Sequence, residues 1–338
     1  MKAMILAAGL GTRLRPYTEV LAKPAIPFLN IPLFYYSIAL LQSAQKFKLT
    51  EIVVNSHHKP EQVCALAKAL SVASQDSLKV EVSFEKAAPL GSGGGVWWAR
   101  EHFKNEKDFF VTNGDEVILP RHLQLMDKML EQHQASNALA TILVKCDARV
   151  GTQFGGVWAN PMREVFGFGK QSPNRLSSPA CLAESVEGFH YMGVMILNSR
   201  ALQYFPEGES NILYDGMMNA ISANEKVEVY IDDCRWYETG NIKDYLLATS
   251  EVLKDFESHP QDLFLNALVK KFAPEARLHS GILTGKNVEI HPQAQLSGFV
   301  VLGDQVKVPA GCILQNVVVQ RALTLEARSY QNDLILAP

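Results

Sequence analysis

Ala3-Met4-Ile5-Leu6-Ala7-Ala8-Gly9-Leu10-Gly11-Thr12-Arg13-Leu14-Arg15-Pro16, with Thr18 and Lys23-Pro24 close behind, is where this chain declares its architecture. A short apolar run predicts a strand over Ala3 to Leu6, and it empties into two glycines. Glycines directly after a strand free the backbone to take unusual φ/ψ values and to turn bare N–H groups toward anionic oxygens. A triphosphate is the guest such a turn suits. Two familiar phosphate loops are excluded by reading. A Rossmann fingerprint needs glycine where Leu14 stands, and a Walker loop needs the Gly-Lys-Ser/Thr that this stretch lacks. A dinucleotide oxidoreductase is therefore disfavoured. Lys2 before the apolar run imitates a signal peptide, but the run is too short and passes into Gly-Leu-Gly-Thr-Arg, so a cytoplasmic protein is expected.

Outward from this loop, apolar runs alternate with mixed-polarity segments as strands alternate with helices. Strands are expected at Glu51 to Asn55, Lys79 to Phe84, Phe109 to Thr112, Ala138 to Val144 and Tyr191 to Leu197, with helices over Leu33 to Gln45 and Glu61 to Leu70. The expected fold is α/β, an open and mainly parallel sheet whose ligands sit at the carboxyl ends of the strands. Gly91 to Gly95 reads as a turn before a helix opening at Val96. Beyond Ala273 a period of six takes over. Ala276, Ile282, Val288, Ala294, Val300, Val306, Cys312 and Val318 keep it unbroken, and Leu278, Thr284, Ile290, Leu296, Leu302, Val308 and Leu314 follow two residues later. Hexapeptide repeats of this kind form the sides of a parallel β-helix. The expected division is a domain over residues 1–250, a helical connection over 251–273 and a repeat domain over 274–338.

Size and charge agree. At 338 residues two domains are expected. Lys and Arg number 32 against 35 Asp and Glu, a net of −3, which lacks the basic excess that nucleic-acid binding requires. No stretch reaches the roughly 18 apolar residues of a membrane span. Cys64, Cys146, Cys181, Cys234 and Cys312 are scattered and form no C-x-x-C pair, so reduced and mostly buried thiols are expected in place of disulfides or zinc. His57-His58 lacks a third ligand and reads as loop. His279 and His291 raise an acyltransferase, which usually needs a longer solenoid.

Gly-x-Gly-x-Arg-x-x-Pro with a lysine ten residues past the arginine resembles the signature of the sugar-1-phosphate nucleotidylyltransferases, or NDP-sugar pyrophosphorylases. Ala22 stands where that family usually has proline. The likeness continues in order. Glu85 to Gly95 is similar to the base-recognition segment of the Gly-Gly-Gly subgroup, which includes muramyl-phosphate uridylyltransferases and some mannose-phosphate guanylyltransferases. Asn113-Gly114-Asp115 matches the metal-carrying aspartate, and Phe154-Gly155-Gly156-Val157 the sugar-side Tyr-Gly element. Trp236-Tyr237-Glu238-Thr239-Gly240 resembles Trp-x-Asp-x-Gly, with Glu238 replacing the second metal-binding aspartate. Gly169-Lys170-Gln171 corresponds to Glu-Lys-Pro and has lost its glutamate.

The resemblance implies a Rossmann-like domain followed by a left-handed parallel β-helix, and Mg²⁺-dependent nucleotidyl transfer from UTP or GTP to a sugar 1-phosphate with release of pyrophosphate. It implies Arg13, Lys23 and Asp115 as catalytic residues, with Asp115 and Glu238 on the metal. For the nucleotide it implies Leu6, Ala8, Gly9, Gly11, Thr12, Glu85, Gly91, Ser92 and Gly94, and for the sugar Asn113, Gly156, Lys170 and Gly193. The chemistry asks mainly for position and positive charge, because a phosphate monoester already carries the attacking oxyanion. No nucleic-acid or membrane partner is expected, and an exposed coil of the repeat offers a surface for a second copy. The substitutions at Glu238 and Gly169 keep open a catalytically weak relative that binds a nucleotide sugar and regulates a partner.

Overall fold

The computed structural model describes residues 1–74, 77–172 and 186–336. Cys181 lies outside them. The chain forms two compact units, each assembled from separated segments.

The first unit takes Met1–Gly9, Leu40–Gly114 and Pro120–Arg235. Its core is a nine-stranded mixed sheet. Strand Lys2–Leu6 runs parallel between Glu51–Ser56 and Asp108–Asn113, and Glu51–Ser56 is parallel to Lys79–Phe84. All six residues of Glu51–Ser56 are buried, as a continuous run covered on both faces requires. The long strand Glu187–Asn198 is antiparallel to Asp108–Asn113, to Ala140–Lys145 and to Gly156–Ala159. Val227–Ile231 returns parallel to Ala140–Lys145. All six expected strands form. Gly156–Ala159, Val165–Gly169 and Val227–Ile231 were not expected, the first two because glycines interrupt their alternation.

The helix expected over Glu61 to Leu70 runs from Pro60 to Ala73 and buries Val63, Ala67 and Leu70, one face at helical spacing. Leu33–Gln42 stops three residues short of its expected end. The glycine run needs a correction, for it is itself helical, over Gly91–Trp98. Glycine is a poor helix former, so the local signal reads as a turn. Packing overrides it, because a Cβ on Gly94 would stand 2.1 Å from the carbonyl oxygen of Gly208, and one on Gly91 2.5 Å from that of Ser210. Only a bare backbone lets this helix lie so close to its neighbour.

The second unit takes Leu10–Ala39, Asp115–Leu119 and everything from Trp236 onward. The expected single helical connection is two helices, Ile242–Ser258 and Leu263–Phe272. The first begins early because the Asn241 side chain accepts from the Asp244 amide, and Asp262 caps the second, two residues after Pro260. Past them, Arg277–His279 pairs antiparallel with Ile282–Thr284. Ile282–Thr284, Gln295–Leu302, Ile313–Val319 and Ser329–Ile335 are then parallel in sequence order. Ile282 pairs with Val300, eighteen residues or three hexapeptides on.

The period then slips. Ser297 faces Gln315, but Val300 faces Val317, seventeen residues away. Gly298, at φ 66°, takes up the extra residue as a bulge. Val300, Val306 and Cys312 therefore share a buried cluster with Val317 and Val319, and Val318, the expected next member, is replaced there. Ile290, also expected in step, is exposed.

Candidate active site

Four side chains named from separated parts of the sequence meet within the second unit. Gly11 takes a left-handed conformation, φ 62° and ψ 30°, and caps a tight turn over Thr12–Leu14. The Thr18 hydroxyl donates to its carbonyl at 3.0 Å. A Cβ on Gly11 would fall 2.7 Å from Thr18 Cγ2 and 3.2 Å from Lys23 Cβ, so glycine is required both by conformation and by space. Leu14 is buried as the turn's anchor, and Arg13 beside it is 70% exposed. Anchor and reach alternate.

Lys23 opens another short turn, Lys23–Ala25, and its side chain is only 13% exposed. Its ammonium lies 2.5 Å from Asp115 Oδ2. Burial pushes the Lys23 ammonium down, yet Asp115, with Glu116 and Glu238, outweighs burial and leaves it raised. Asp115 is held in turn by its own carbonyl, which accepts from the Thr239 hydroxyl at 3.2 Å. Thr239 is the residue after Glu238, and strand Arg235–Tyr237 pairs with Val117–Leu119, which brings these two acidic stretches alongside each other. Glu238 Oε1 accepts from the Gly240 amide at 2.7 Å and lies 3.9 Å from Arg13 Nη1. A Cβ on Gly240 would stand 2.2 Å from that carboxylate and 2.8 Å from Arg13 Nη2, so the glycine keeps the two charges close. Glu116, which no sequence motif singled out, accepts from Trp236 Nε1 at 2.8 Å. Its signal was an acid directly following Asp115.

The remaining candidates belong to the first unit. Leu6 pairs with Asn113, and the Gly114 amide donates to the Leu6 carbonyl at 2.8 Å, so both strands end together. Gly9 is exposed with open space where a Cβ would stand, whereas Ala8 is buried. The Ala7 amide donates to Asn55 Oδ1 at 2.6 Å, and Asn55 Nδ2 donates to Glu85 Oε1 at 2.7 Å. Glu85 Oε2 accepts from the Leu90 amide at 2.7 Å, so Glu85, 3% exposed, buckles the segment leading into the glycine helix. Asn55, a polar residue closing the apolar run Ile52-Val53-Val54, could have been found from that break in pattern. Ser92 accepts from the Ile212 amide at 2.9 Å, and Gly94 is buried against Gly208. Gly156 opens its strand, with Val150 and Trp158 filling the space of a Cβ. Gly193, φ 76°, lies where the register of its strand shifts between Tyr191 and Met195. Lys170 is exposed just after Gly169, whose carbonyl accepts from Trp158 Nε1 at 2.9 Å.

Among the described residues, no three His, Cys, Asp or Glu side chains converge as a metal-ligand set. Asp115 and Glu238 nevertheless offer the hard carboxylate oxygens that Mg²⁺ accepts, and Mg²⁺ characteristically binds one or two carboxylates together with substrate phosphates. The donor chemistry fits. The four described cysteines are free, as expected, but Cys146 is exposed and Cys64 half-buried, so only Cys234 and Cys312 meet the expectation of burial. Neither of those is poised to react, since burial pushes both thiols up. Among the described residues no helix is long and apolar enough to cross a membrane.

The nucleotidyl transferase family model matches residues 2–255. A UTP–glucose-1-phosphate uridylyltransferase of Synechocystis is 25% identical over 96% of this chain and 83% of its own. A mannose-1-phosphate guanylyltransferase of Mycobacterium tuberculosis is 24% identical over 93% and 82%. Among solved structures, a UDP-glucose pyrophosphorylase complexed with UDP-glucose superposes with a TM-score of 0.59 at 16% identity, covering 75% of this chain and 98% of that one. HddC from Yersinia pseudotuberculosis complexed with GMP-PN gives 0.53 at 18%, covering 74% and 99%. These structures share the mixed α/β, Rossmann-like fold.

Proposed function

The chain belongs to the nucleotidyl transferase family, and from that premise we propose that it joins an NTP to a sugar 1-phosphate, releasing pyrophosphate and an NDP-sugar, with UTP or GTP as the donor. It is a sugar-phosphate nucleotidylyltransferase, as its relatives are named. The observation that carries the reading is the meeting of Arg13, Lys23, Asp115 and Glu238 in one unit, two cations and two carboxylates drawn from three distant stretches.

The roles follow from exposure and charge. Arg13, anchored through Leu14, with a largely exposed guanidinium beside Glu238, is suited to fork onto the departing pyrophosphate. Lys23, held charged by its acidic neighbours, is suited to the α-phosphate, where negative charge builds up as the sugar phosphate oxygen attacks. Asp115 and Glu238 would hold Mg²⁺, which when bound supplies further neutralisation of phosphate charge. The glycine turn, exposed at Gly9 and half-buried at Gly11, lends backbone N–H groups to the triphosphate. Lys170, exposed just beyond strand Val165–Gly169, is assigned to the incoming sugar phosphate, with Asn113, Gly156 and Gly193 on the sugar. The parallel pairing at eighteen-residue separation supports reading residues 274–338 as a left-handed parallel β-helix appended to the transferase. Names of relatives divide between uridylyl and guanylyl transfer, so both bases belong in the test.

That test is pyrophosphate release measured over a grid of NTPs and sugar 1-phosphates with Mg²⁺. Turnover is expected with UTP or GTP. A folded protein that stays silent over the whole grid overturns the proposal.

A further inference from the structure

The residues around the phosphate turn are tied to the far end of the chain. Tyr17, four residues after Arg13, donates its hydroxyl to Asp333 Oδ1 at 2.8 Å across 316 residues of sequence. Asp333 lies in the last strand, Ser329–Ile335, and is itself oriented by the Leu334 amide, which donates to the same oxygen at 2.8 Å. A second tie comes from the preceding coils, where Asn30 Nδ2 donates to the Leu302 carbonyl at 3.0 Å. All of these residues belong to the second unit. Burial, and then Asp333, push the Tyr17 hydroxyl up to about 12, so the phenol keeps its proton and remains the donor at every ordinary pH.

From Tyr17 the connection to the turn is short. Tyr17 begins the helical turn Tyr17–Val20, the next residue Thr18 donates to the Gly11 carbonyl, and Thr18 Cγ2 fills the space beside Gly11. Gly11 in turn caps the turn that carries Arg13. Tyr17 is therefore fixed at one end by a charged acceptor and at the other by a packed glycine turn. The guanidinium of Arg13 stands at the exposed end of this arrangement.

We propose that Asp333 is a positioning residue for nucleotide binding: through Tyr17 it holds the Gly11–Val20 segment in the conformation that places Arg13. The last strand of the C-terminal repeat is thus part of the transferase machinery, although Asp333 touches no reacting atom. This rests on the nucleotidyl transfer proposed above.

The experiment uses the full chain with Asp333→Ala, Asp333→Asn, Tyr17→Phe and the double variant Asp333→Ala/Tyr17→Phe. Asp333→Ala is expected to raise the KM for the NTP about tenfold or more, the scale of one hydrogen bond to a charged acceptor, with kcat and the KM for the sugar phosphate little changed. Tyr17→Phe should match it, and the double variant should be no worse than either single one, since both remove the same bond. Asp333→Asn, which keeps an acceptor oxygen, should recover most of the loss. A KM for the NTP within about twofold of the wild type in Asp333→Ala, or multiplying effects in the double variant, overturns the proposal. Amide hydrogen exchange over residues 11–20 gives a second readout that needs no turnover. Faster exchange there in Asp333→Ala supports the tie, and unchanged exchange overturns it. If the wild type turns over no NTP, the proposed function fails by the grid assay while exchange still decides the role of Asp333.

Discussion

Lys23 keeps its charge against burial because three carboxylates surround it, with Asp115 foremost. Removing that charge has two separable consequences. Lys23→Met should cut turnover by about 100-fold or more, as loss of a transition-state cation does. It should also cost stability, because Asp115 is left partly buried and without its cation. Adding Asp115→Asn should restore the midpoint in urea while leaving turnover low. Gly9 permits a cleaner test of nucleotide contact. A methyl there meets nothing within 4 Å, so Gly9→Ala should unfold at the same temperature as the wild type. A raised KM for the NTP in that variant would report the ligand's own need for the space. His190 gives a pH signature. Burial holds its imidazole down to about 4, against an ordinary value of 6.5, despite the opposing pull of Asp147. The neutral ring lies 4.6 Å from the Phe154 ring, centroid to centroid. A base held neutral in the fold adds stability that is fully present above about 6.5 and is lost as pH falls toward 4. Urea midpoints compared at pH 7 and pH 5 should therefore drop less in His190→Phe than in the wild type.

At the level of an element, the glycine helix has a packing reason that its sequence motif does not express. From sequence, Gly91 to Gly95 serve a nucleotide through their backbone. In the structure, Gly91, Gly93 and Gly94 leave no room for a Cβ beside Gly208 to Asn211. Gly94→Ala should thus destabilise the protein by about 1–3 kcal/mol, the usual cost of overpacking, measured by urea unfolding. The strands of the main sheet were legible because burial on the sheet leaves short apolar runs, as Ile52-Val53-Val54 within the fully buried Glu51–Ser56. The repeat was legible from its period until Gly298, where a bulge that no period encodes puts Val317 and Val319, rather than the also buried Val318, into the cluster with Val300. Arg13, Lys23, Asp115 and Glu238 were named from motif order, and their meeting adds geometry that order cannot supply. Tyr17 and Asp333 carried no signal at all, since a tyrosine and an aspartate 316 residues apart share no local pattern.

Across the full chain, the two units do not follow sequence order. The stretch from Leu10 to Ala39 shares a unit with everything after Trp236. A chain cut after residue 250 carries all the transferase motifs, yet it lacks the strands that receive the Tyr17 and Asn30 hydrogen bonds. Such a truncated protein is expected to lose its cooperative thermal transition or to aggregate, which circular dichroism and light scattering would reveal. A cooperative melt at the wild-type temperature would mean that residues 1–250 stand alone. The tie between Tyr17 and Asp333 also bears on biosynthesis. During synthesis the segment carrying Tyr17 waits for a residue 316 positions later before its hydroxyl finds an acceptor, so a chain interrupted by a stop codon ahead of Asp333 should reach the cell with an unfinished phosphate turn, however much of the rest has been made.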